Sequence, residues 1–545
     1  MRSPIFFFRL LLKYKSLLFL SKIEKKFILH NEKKWKLNKK RMQSKNIILV
    51  DLFYWNPWIY IWSYLTNILS YRLNAKIKYF YFDLYQSKYS MINRFYILKL
   101  TKIFKSFNVT KGISELDFYY SKKETKLYNK EFKKINSNTQ ELVNYKRKNI
   151  IIGHLIYDTY LRQKLVATID LRDKELKVIF IRALKYFDEI YKYLSQNKVK
   201  VIIPSHLCYI NYGIISSIAA QKKINIIKIN SNDRGTALFR LHKIDKNKLL
   251  DEPPYYNYAK IFNNFSILQK KNSRIIGKDI ITKRISGEND NTLPYMKTNQ
   301  FSKKLKLSIK TKAKQGKEKI FIFPHCYLDN PHRYRYMIFQ DFYKQVKFFL
   351  DLSLKLDQYE WYYKPHPNEL RGTMNIHYEL LKNYPNVKSL DTRISHKSIL
   401  SENPKCIITN HGTIAHEYAY FNIPVINTGD NPHINYNFCL HMRNKTQLVN
   451  TFLNLNKDLK KINFNKNKIY EFMYMHYYHF NHMYEKDSLM PDSYIVDNSS
   501  KHYNNPKIKY DFLTSDKTLG KYLNETKKID QNMKKYINLF LDKNI

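Results

Sequence analysis

The chain has 545 residues, with 96 Lys and Arg against 45 Asp and Glu, a formal net charge of +51, and 44% hydrophobic and 16% aromatic residues. That length exceeds one ordinary core, so two or more domains are expected, and the apolar content excludes a mostly disordered chain. The excess of cations suits a polyanionic partner, but the lysines are spread along the whole chain among abundant Asn, Ile and Tyr, as AT-rich coding DNA imposes.

Pro4 to Leu20 is apolar but broken by Arg9, Lys13 and Lys15, which argues against a membrane span or a signal peptide. A basic amphipathic helix on an anionic membrane face and an ordinary docking helix both fit it. Residues 21–45 read as a basic connector, so 1–45 forms an N-terminal segment. The run Asn46 to Val50 predicts a strand ending at Asp51. A helix over 58–73 and a strand from Ile77 to Phe82 follow. Asn149 to Ile152 predicts a further strand leading into Gly153-His154. A helix over 171–195 carries Leu176, Ile179, Leu184, Phe187, Ile190 and Leu194 near helical spacing. A strand from Val199 to Ile203, a helix over 211–221 and a strand from Ile224 to Ile229 complete a Rossmann-like domain, 46–264. Residues 265–318 are polar and weakly patterned, and Gly277 and Gly287 mark them as an interdomain segment.

A second alternation starts at Lys319 to Phe323. A helix over 339–355, strands at 359–363, Val387 to Leu390, Cys406 to Thr409 and Val425-Ile426, and a helix from Ile414 to Phe421 define a second Rossmann-like domain, 319–460. Residues 461–545 read as a helical tail. The fold class is therefore α/β with two Rossmann-like domains facing a central cleft and C-terminal helices. Cys208, Cys326, Cys406 and Cys439 lie far apart, form no Cys-x-x-Cys pair, and fit a reduced, cytoplasmic compartment.

Two strand-exit loops carry the chemistry. Lys364-Pro365-His366-Pro367 follows Trp361 to Tyr363, and Asn410-His411-Gly412-Thr413 follows Cys406 to Thr409 and opens a helix. Open α/β sheets bind ligands at such exits. The prolines stiffen the loop around His366, Lys364 brings charge, Gly412 permits close backbone approach, and Thr413 and Glu417 share a helical face. Both loops fit a phosphate-bearing ligand, with Thr413 as an N-cap and Glu417 as a surface residue the plainer alternative. His325, His332, Arg333 and Arg335 sit in the loop after the first strand of that domain, where a nucleotide diphosphate fits. The histidine spacing matches no zinc pattern, and no metal is expected. In the first domain Asp158 and Arg162 are four residues apart, so Asp158 is a candidate general base, and Arg162 either binds an acidic acceptor or pairs with Asp158. His206, followed by Tyr209, lies at another strand exit, and Asp51 is a further base candidate.

Lys364-Pro365-His366-Pro367, Gly412-Thr413 with Glu417, and Asn422-Ile423-Pro424-Val425-Ile426 resemble the donor half of bacterial capsule and surface-polysaccharide glycosyltransferases of GT-B type with a His-Pro motif, the capsular Kdo- and sialic-acid-transferase-like group. Gly153 to Arg162 resembles a segment in the first domain of surface-carbohydrate biosynthesis proteins, with His154 where that pattern has an acidic residue. The resemblance covers roughly 146–230 and 319–440. It implies a metal-independent glycosyltransferase that needs no cofactor. Its donor is a nucleotide-sugar, CMP-activated in part of the group, and its acceptor a surface polysaccharide or lipid-linked glycan. The protein is expected in the cytoplasm, at the inner face of the plasma membrane where an anionic membrane surface is a partner, with no specific nucleic acid. His325, Lys364, His366, His411, Gly412, Thr413 and Glu417 would hold the donor nucleotide. Arg162 and Tyr209 would bind the acceptor, and Asp158, His206 and His366 would serve catalysis. A CDP-polyol phosphotransferase of the teichoic-acid type and a basic nucleic-acid-binding protein are the alternatives.

Overall fold

The computed structural model describes residues 19–36, 39–53, 58–83, 90–135, 138–231, 239–244, 257–287, 299–302, 316–333, 336–367, 369, 373–479, 516–524 and 526–545. Most of the expected segment from Pro4 to Leu20, and Arg335, lie outside these residues.

The first half contains β1 (Asn46–Asp51), β2 (Ala75–Tyr81) and β3 (Val109–Ser114). A small antiparallel hairpin follows, β4 (Lys146–Arg147) with β5 (Ile150–Ile151), and then come β6 (Lys198–Ile203), β7 (Asn225–Ser231) and β8 (Phe239–Lys243). The main sheet runs β3-β2-β1-β6-β7-β8, parallel except for β8 against β7. Ile48, Leu49 and Val50 of β1 are wholly buried because helices cover both faces, which is why the strand reads as a continuous apolar run rather than an alternation. The second half contains β9 (Lys319–Ile322), β10 (Glu360–Tyr363), β11 (Val387–Ser389), β12 (Cys406–Thr409), β13 (Val425–Asn427) and β14 (Leu440–His441), ordered β11-β10-β9-β12-β13-β14 and parallel throughout. Two Rossmann-like units result, each with apolar clusters on both faces of its sheet.

The structure corrects three local expectations. The run Asn149 to Ile152 is not a strand of the sheet: Lys148 and Asn149 adopt φ of 47° and 64°, turning the chain into the hairpin, and Ile152 precedes the helix Gly153–Lys164. The stretch 21–45 is more than a connector. Ser21 and Glu24 close a capping box on the helix Lys22–Lys34, which buries Phe27 and Ile28. The polar segment 265–318 contains a 20-residue helix, Ile267–Ser286, capped by Ser266 with Gln269 and ended by Gly287 at φ 88°.

The tail returns to the first unit. Leu519, Tyr522, Met533, Ile537 and Leu541 join the core beneath the helix Trp58–Arg72, and Arg72 Nη1 meets Asp542 Oδ1 at 2.6 Å. That helix is apolar on nearly every side because the sheet covers one face and the tail another. No helix of the described residues is long and apolar enough to cross a membrane.

Candidate functional site

In each sheet the chain reverses its direction of growth once, between β1 and β6 and between β9 and β12. The exits at such a switch point splay apart and leave a crevice at the carboxyl end of the strands. Many of the residues singled out from sequence gather at these two places, while Asp158 and Arg162 lie on the helix Gly153–Lys164.

At the second switch point, His325 follows β9 and His411 follows β12, with His366 on the neighbouring exit of β10. The His325 ring stacks on Phe342 at 4.7 Å and lies 5.9 Å from the His366 ring and 6.1 Å from the His411 ring. Burial, and then the His325 charge, push His366 down to about 4 and His411 well below its usual value. These two imidazoles are therefore neutral at pH 7, and each presents one N–H donor rather than a charge. Lys364 is buried too, its pKa drawn down to about 8, and its Nζ donates to Gln300 Oε1 at 3.0 Å. Gly412 leaves no room for a Cβ, which would sit 2.7 Å from Thr409 Oγ1. Thr413 heads the short helix Ile414–Ala419 without a side-chain capping bond, so its hydroxyl is not used as the cap. Glu417 is buried against Arg284 of the helix Ile267–Ser286, at 3.6 Å, instead of lying on the surface. Arg284 also bonds His416 Nε2 at 3.1 Å and the Tyr477 hydroxyl at 3.0 Å.

Glu369 and His377 escaped the sequence reading. The Glu369 backbone N–H donates to His366 O at 3.2 Å, while its carboxylate accepts from Thr373 Oγ1 at 2.7 Å and from Cys326 Sγ at 3.3 Å. His377 lies between that carboxylate, at 3.3 Å, and the Tyr363 hydroxyl, at 2.5 Å. This buried network fixes the His366 loop more firmly than its prolines alone. The only signal in the sequence was the acid two residues after Pro367.

The loop after β9 crosses to the first unit, where Leu328 packs into the core of the first sheet. Beyond it His332 Nδ1 meets Asp158 Oδ1 at 2.6 Å, and the His332 backbone N–H donates to Asp158 Oδ2 at 3.3 Å. Both oxygens of Asp158 are thus engaged by the opposite unit. Desolvation raises the Asp158 pKa, with the His332 charge opposing it. His154, on the same helix, is half-buried, and loss of hydration pushes it down to about 3, so it is neutral. Asp341 ties the same seam: its Oδ2 accepts from the Tyr157 hydroxyl at 2.5 Å and from Thr168 Oγ1 at 2.6 Å. Asp329, half exposed and 3.8 Å from His325 Nε2, lies close enough to influence His366, Asp158 and Tyr209 electrostatically.

At the first switch point, Asp51 ends β1 and Ser205-His206 follow β6. The Ser205 hydroxyl donates to Asp51 Oδ2 in a close contact, and the Ser205 backbone N–H reaches the same oxygen at 3.3 Å. His206 Nδ1 lies 2.9 Å from Ser205 Oγ. The rings of Phe53, Trp58 and Tyr212 surround His206 at 5.6, 6.0 and 5.1 Å. Full burial pushes the Asp51 carboxyl up to about 7 despite its bonds from Ser205. Tyr209 is buried with a left-handed φ of 60°, a conformation costly for a residue with a Cβ, and Arg162 acts on its hydroxyl electrostatically.

All four cysteines are free thiols. Among the described residues no group of three or more His, Cys, Asp and Glu is arranged to hold a metal ion.

No protein-family model matches the chain, and no curated protein does. Among solved structures, the chain is similar to a beta Kdo 2,4 transferase, KpsC, of Thermosulfurimonas dismutans, at 10% identity and a TM-score of 0.32 over 51% of this chain and 79% of that one. It is also similar to a UDP-GlcNAc 2-epimerase from Neisseria meningitidis bound to UDP-GlcNAc, at 11% identity and 0.25 over 78% and 97%. The wall teichoic acid polymerase TagF matches at 12% identity and 0.19 over 96% and 100%. At these scores the likenesses carry no argument of their own.

Proposed function

We propose that the protein is a glycosyltransferase that moves a sugar from a nucleotide-sugar to a surface polysaccharide or lipid-linked glycan. In this reading 319–460 is the nucleotide-sugar domain and 46–264 the acceptor domain, working in the cytoplasm at the inner face of the membrane and without a metal. The observation that carries it is the placement of His325, His366 and His411 at one switch point and of Asp51, Ser205 and His206 at the other, in two units joined by the Asp158–His332 contact.

Glycosyl transfer needs two things of such a site. Charge growing on the departing phosphate must be met by fixed donors, and the acceptor hydroxyl must lose its proton. The neutral imidazoles of His366, on a loop held by the Glu369 network, and of His411, packed edge-on against the His325 and Phe342 rings, supply donors that need no reorganisation as the charge grows. Lys364 keeps a positive charge behind them at pH 7, because its pKa is drawn down only to about 8. Gly412 lets the loop after β12 close on Thr409 and Ile414, where a Cβ would clash.

Thermal unfolding in the presence of CMP, CDP, UDP and GDP tests the nucleotide site: one of them raises the midpoint by a few degrees at millimolar concentration. His366→Ala, which removes one donor, lowers the turnover of that nucleotide's sugar by about 100-fold or more. Unchanged turnover in an enzyme of proven activity removes the role assigned to His366. Product analysis separates the rival chemistry, since a phosphodiester product belongs to a CDP-polyol phosphotransferase and a glycosidic product to this reading.

A further inference from the structure

Two candidate bases in the first unit, Asp158 and His206, stand in different surroundings. Asp158 has both oxygens bound by His332 and is wholly buried. His206 is half-buried and stands at the outer end of a hydrogen-bonded chain that runs inward through Ser205 to Asp51. We infer that Asp51, Ser205 and His206 form a proton relay on which the acceptor hydroxyl is deprotonated, with His206 Nε2 as the atom that takes the proton and Ser205 and Asp51 as positioning residues. The inference rests on the glycosyl-transfer reading and names the residues that perform its proton step.

The geometry assigns each group one task. A serine between a carboxylate and an imidazole is not poised as a nucleophile when its hydroxyl hydrogen is given to the carboxylate, because its oxygen is then left to accept from the imidazole. With Asp51 ionised, that order of donors fixes the His206 tautomer: Nδ1 carries the hydrogen and Nε2 carries the lone pair. The rings of Phe53, Trp58 and Tyr212 hold the imidazole plane and offer apolar faces beside it. In the step itself the bond from the acceptor oxygen to the anomeric carbon forms. The bond from that carbon to the phosphate oxygen breaks, and its electron pair leaves with the nucleotide. The acceptor proton passes to Nε2, and the positive charge on the ring is relieved as Nδ1–H shifts toward Ser205 and the Ser205 proton toward Asp51. The Asp51 carboxyl, held up at about 7 by burial, is matched to receiving that proton near neutral pH. Tyr212 faces Asp51 as well and hydrogen-bonds Ser205, and Cys208 in turn acts on Tyr212.

A purely structural role is the competing explanation, because the Ser205 backbone N–H also anchors to Asp51. The two are separated by assaying nucleotide release from CMP-, UDP- and GDP-sugars with water as the acceptor, for the wild type, Asp51→Asn, Ser205→Ala and His206→Ala. The relay predicts that His206→Ala loses about 100-fold in kcat and regains part of it with added imidazole. It also predicts that Ser205→Ala and Asp51→Asn lose about tenfold or more, with the double variant no worse than either single one. The wild-type rise of kcat with pH near 7 flattens in Asp51→Asn, while the nucleotide affinity measured by thermal shift stays within about twofold. If the three variants keep wild-type kcat and pH profile while His366→Ala loses activity, the relay is overturned and the glycosyl-transfer reading stands. If activity falls but imidazole restores none of it and the pH profile is unmoved, the residues are structural and the relay is overturned. If no sugar nucleotide is turned over or bound, the glycosyl-transfer reading falls and the relay with it.

Discussion

A buried carboxyl such as Asp51 is costly to keep charged. The folded protein holds its proton up to about pH 7, whereas a carboxyl of ordinary value 3.8 releases it far earlier in the unfolded chain. Across that window the folded state binds more protons than the unfolded one, so stability falls as pH rises from about 4 to about 7. Above 7 the full penalty is present, on the order of 4 kcal/mol for a carboxyl raised from 3.8 to about 7. Asp51→Asn retains an oxygen to accept from Ser205 but never ionises. Its unfolding midpoint in urea should therefore exceed the wild type's at pH 8, with the gap narrowing at pH 5 and closing near pH 4. A variant more stable yet slower would mean that the fold bears a cost to keep a proton acceptor at this strand end. A gap independent of pH would show that Asp51 does not titrate in this range. Asp51 could be picked out from sequence because it ends an apolar run, but its bond to Ser205 could not. That bond depends on β1 and β6 lying side by side, although about 150 residues of chain separate them.

At the scale of elements, apolar runs such as Ile47 to Val50, Val201 to Ile203 and Cys406 to Ile408 marked their strands because burial on both faces leaves no room for polar alternation. The edges were harder to read. β3 includes Thr110, Lys111 and Gly112, and β14 is only two residues long, so neither carries a strong apolar signal. The helix Ile267–Ser286 was missed for a related reason. It buries only Ser273, Gly277, Ile281 and Arg284 and leaves Ile267, Leu268 and Ile275 exposed, so no apolar stripe betrays it. Gly277, which reads as a loop signal, is instead a contact point, since a Cβ there would lie 1.9 Å from the carbonyl oxygen of Tyr470 on the helix Lys466–Tyr474. Gly277→Ala would gain about 1 kcal/mol of helix propensity in isolation. Here the added methyl meets backbone that cannot rotate aside, and the overpacking cost of about 1–3 kcal/mol or more exceeds that gain. Because Arg284 on this helix holds Glu417, separating the helices also disturbs the loop behind Gly412-Thr413. The variant should unfold at lower urea concentration and bind nucleotide more weakly, as calorimetric titration with the nucleotide found by thermal shift would show. A variant as stable as the wild type would contradict the close helix contact.

At the scale of the whole molecule the two units meet at one seam, and Asp158 with His332 is a buried polar link across it, beside Asp341 with Tyr157 and Thr168. Sequence pattern offered Asp158 only Arg162, four residues on, as a pairing partner, with an acidic acceptor as the other use of that arginine, because helical spacing is visible in one dimension and a contact spanning 174 residues is not. The link is wholly buried on the Asp158 side, where a lone carboxylate would be far costlier than a paired one. Removing His332 alone therefore leaves a buried acid without its imidazole, and removing Asp158 alone leaves an imidazole without its acceptor. Removing both relieves each penalty. Unfolding of Asp158→Ala, His332→Ala and the double variant should give a coupling energy of about 1.5–3 kcal/mol, the range for hydrogen bonds to charged groups. The same cycle read out as kcat separates the roles of the two candidate bases. If Asp158 serves to dock the units, His332→Ala and Asp158→Ala slow turnover alike and the double variant is no slower. If Asp158 were the base itself, its loss would far outweigh that of His332. Equal, non-additive losses would leave proton transfer to the first switch point, and would make the arrangement of the two units, rather than either crevice alone, the condition for activity.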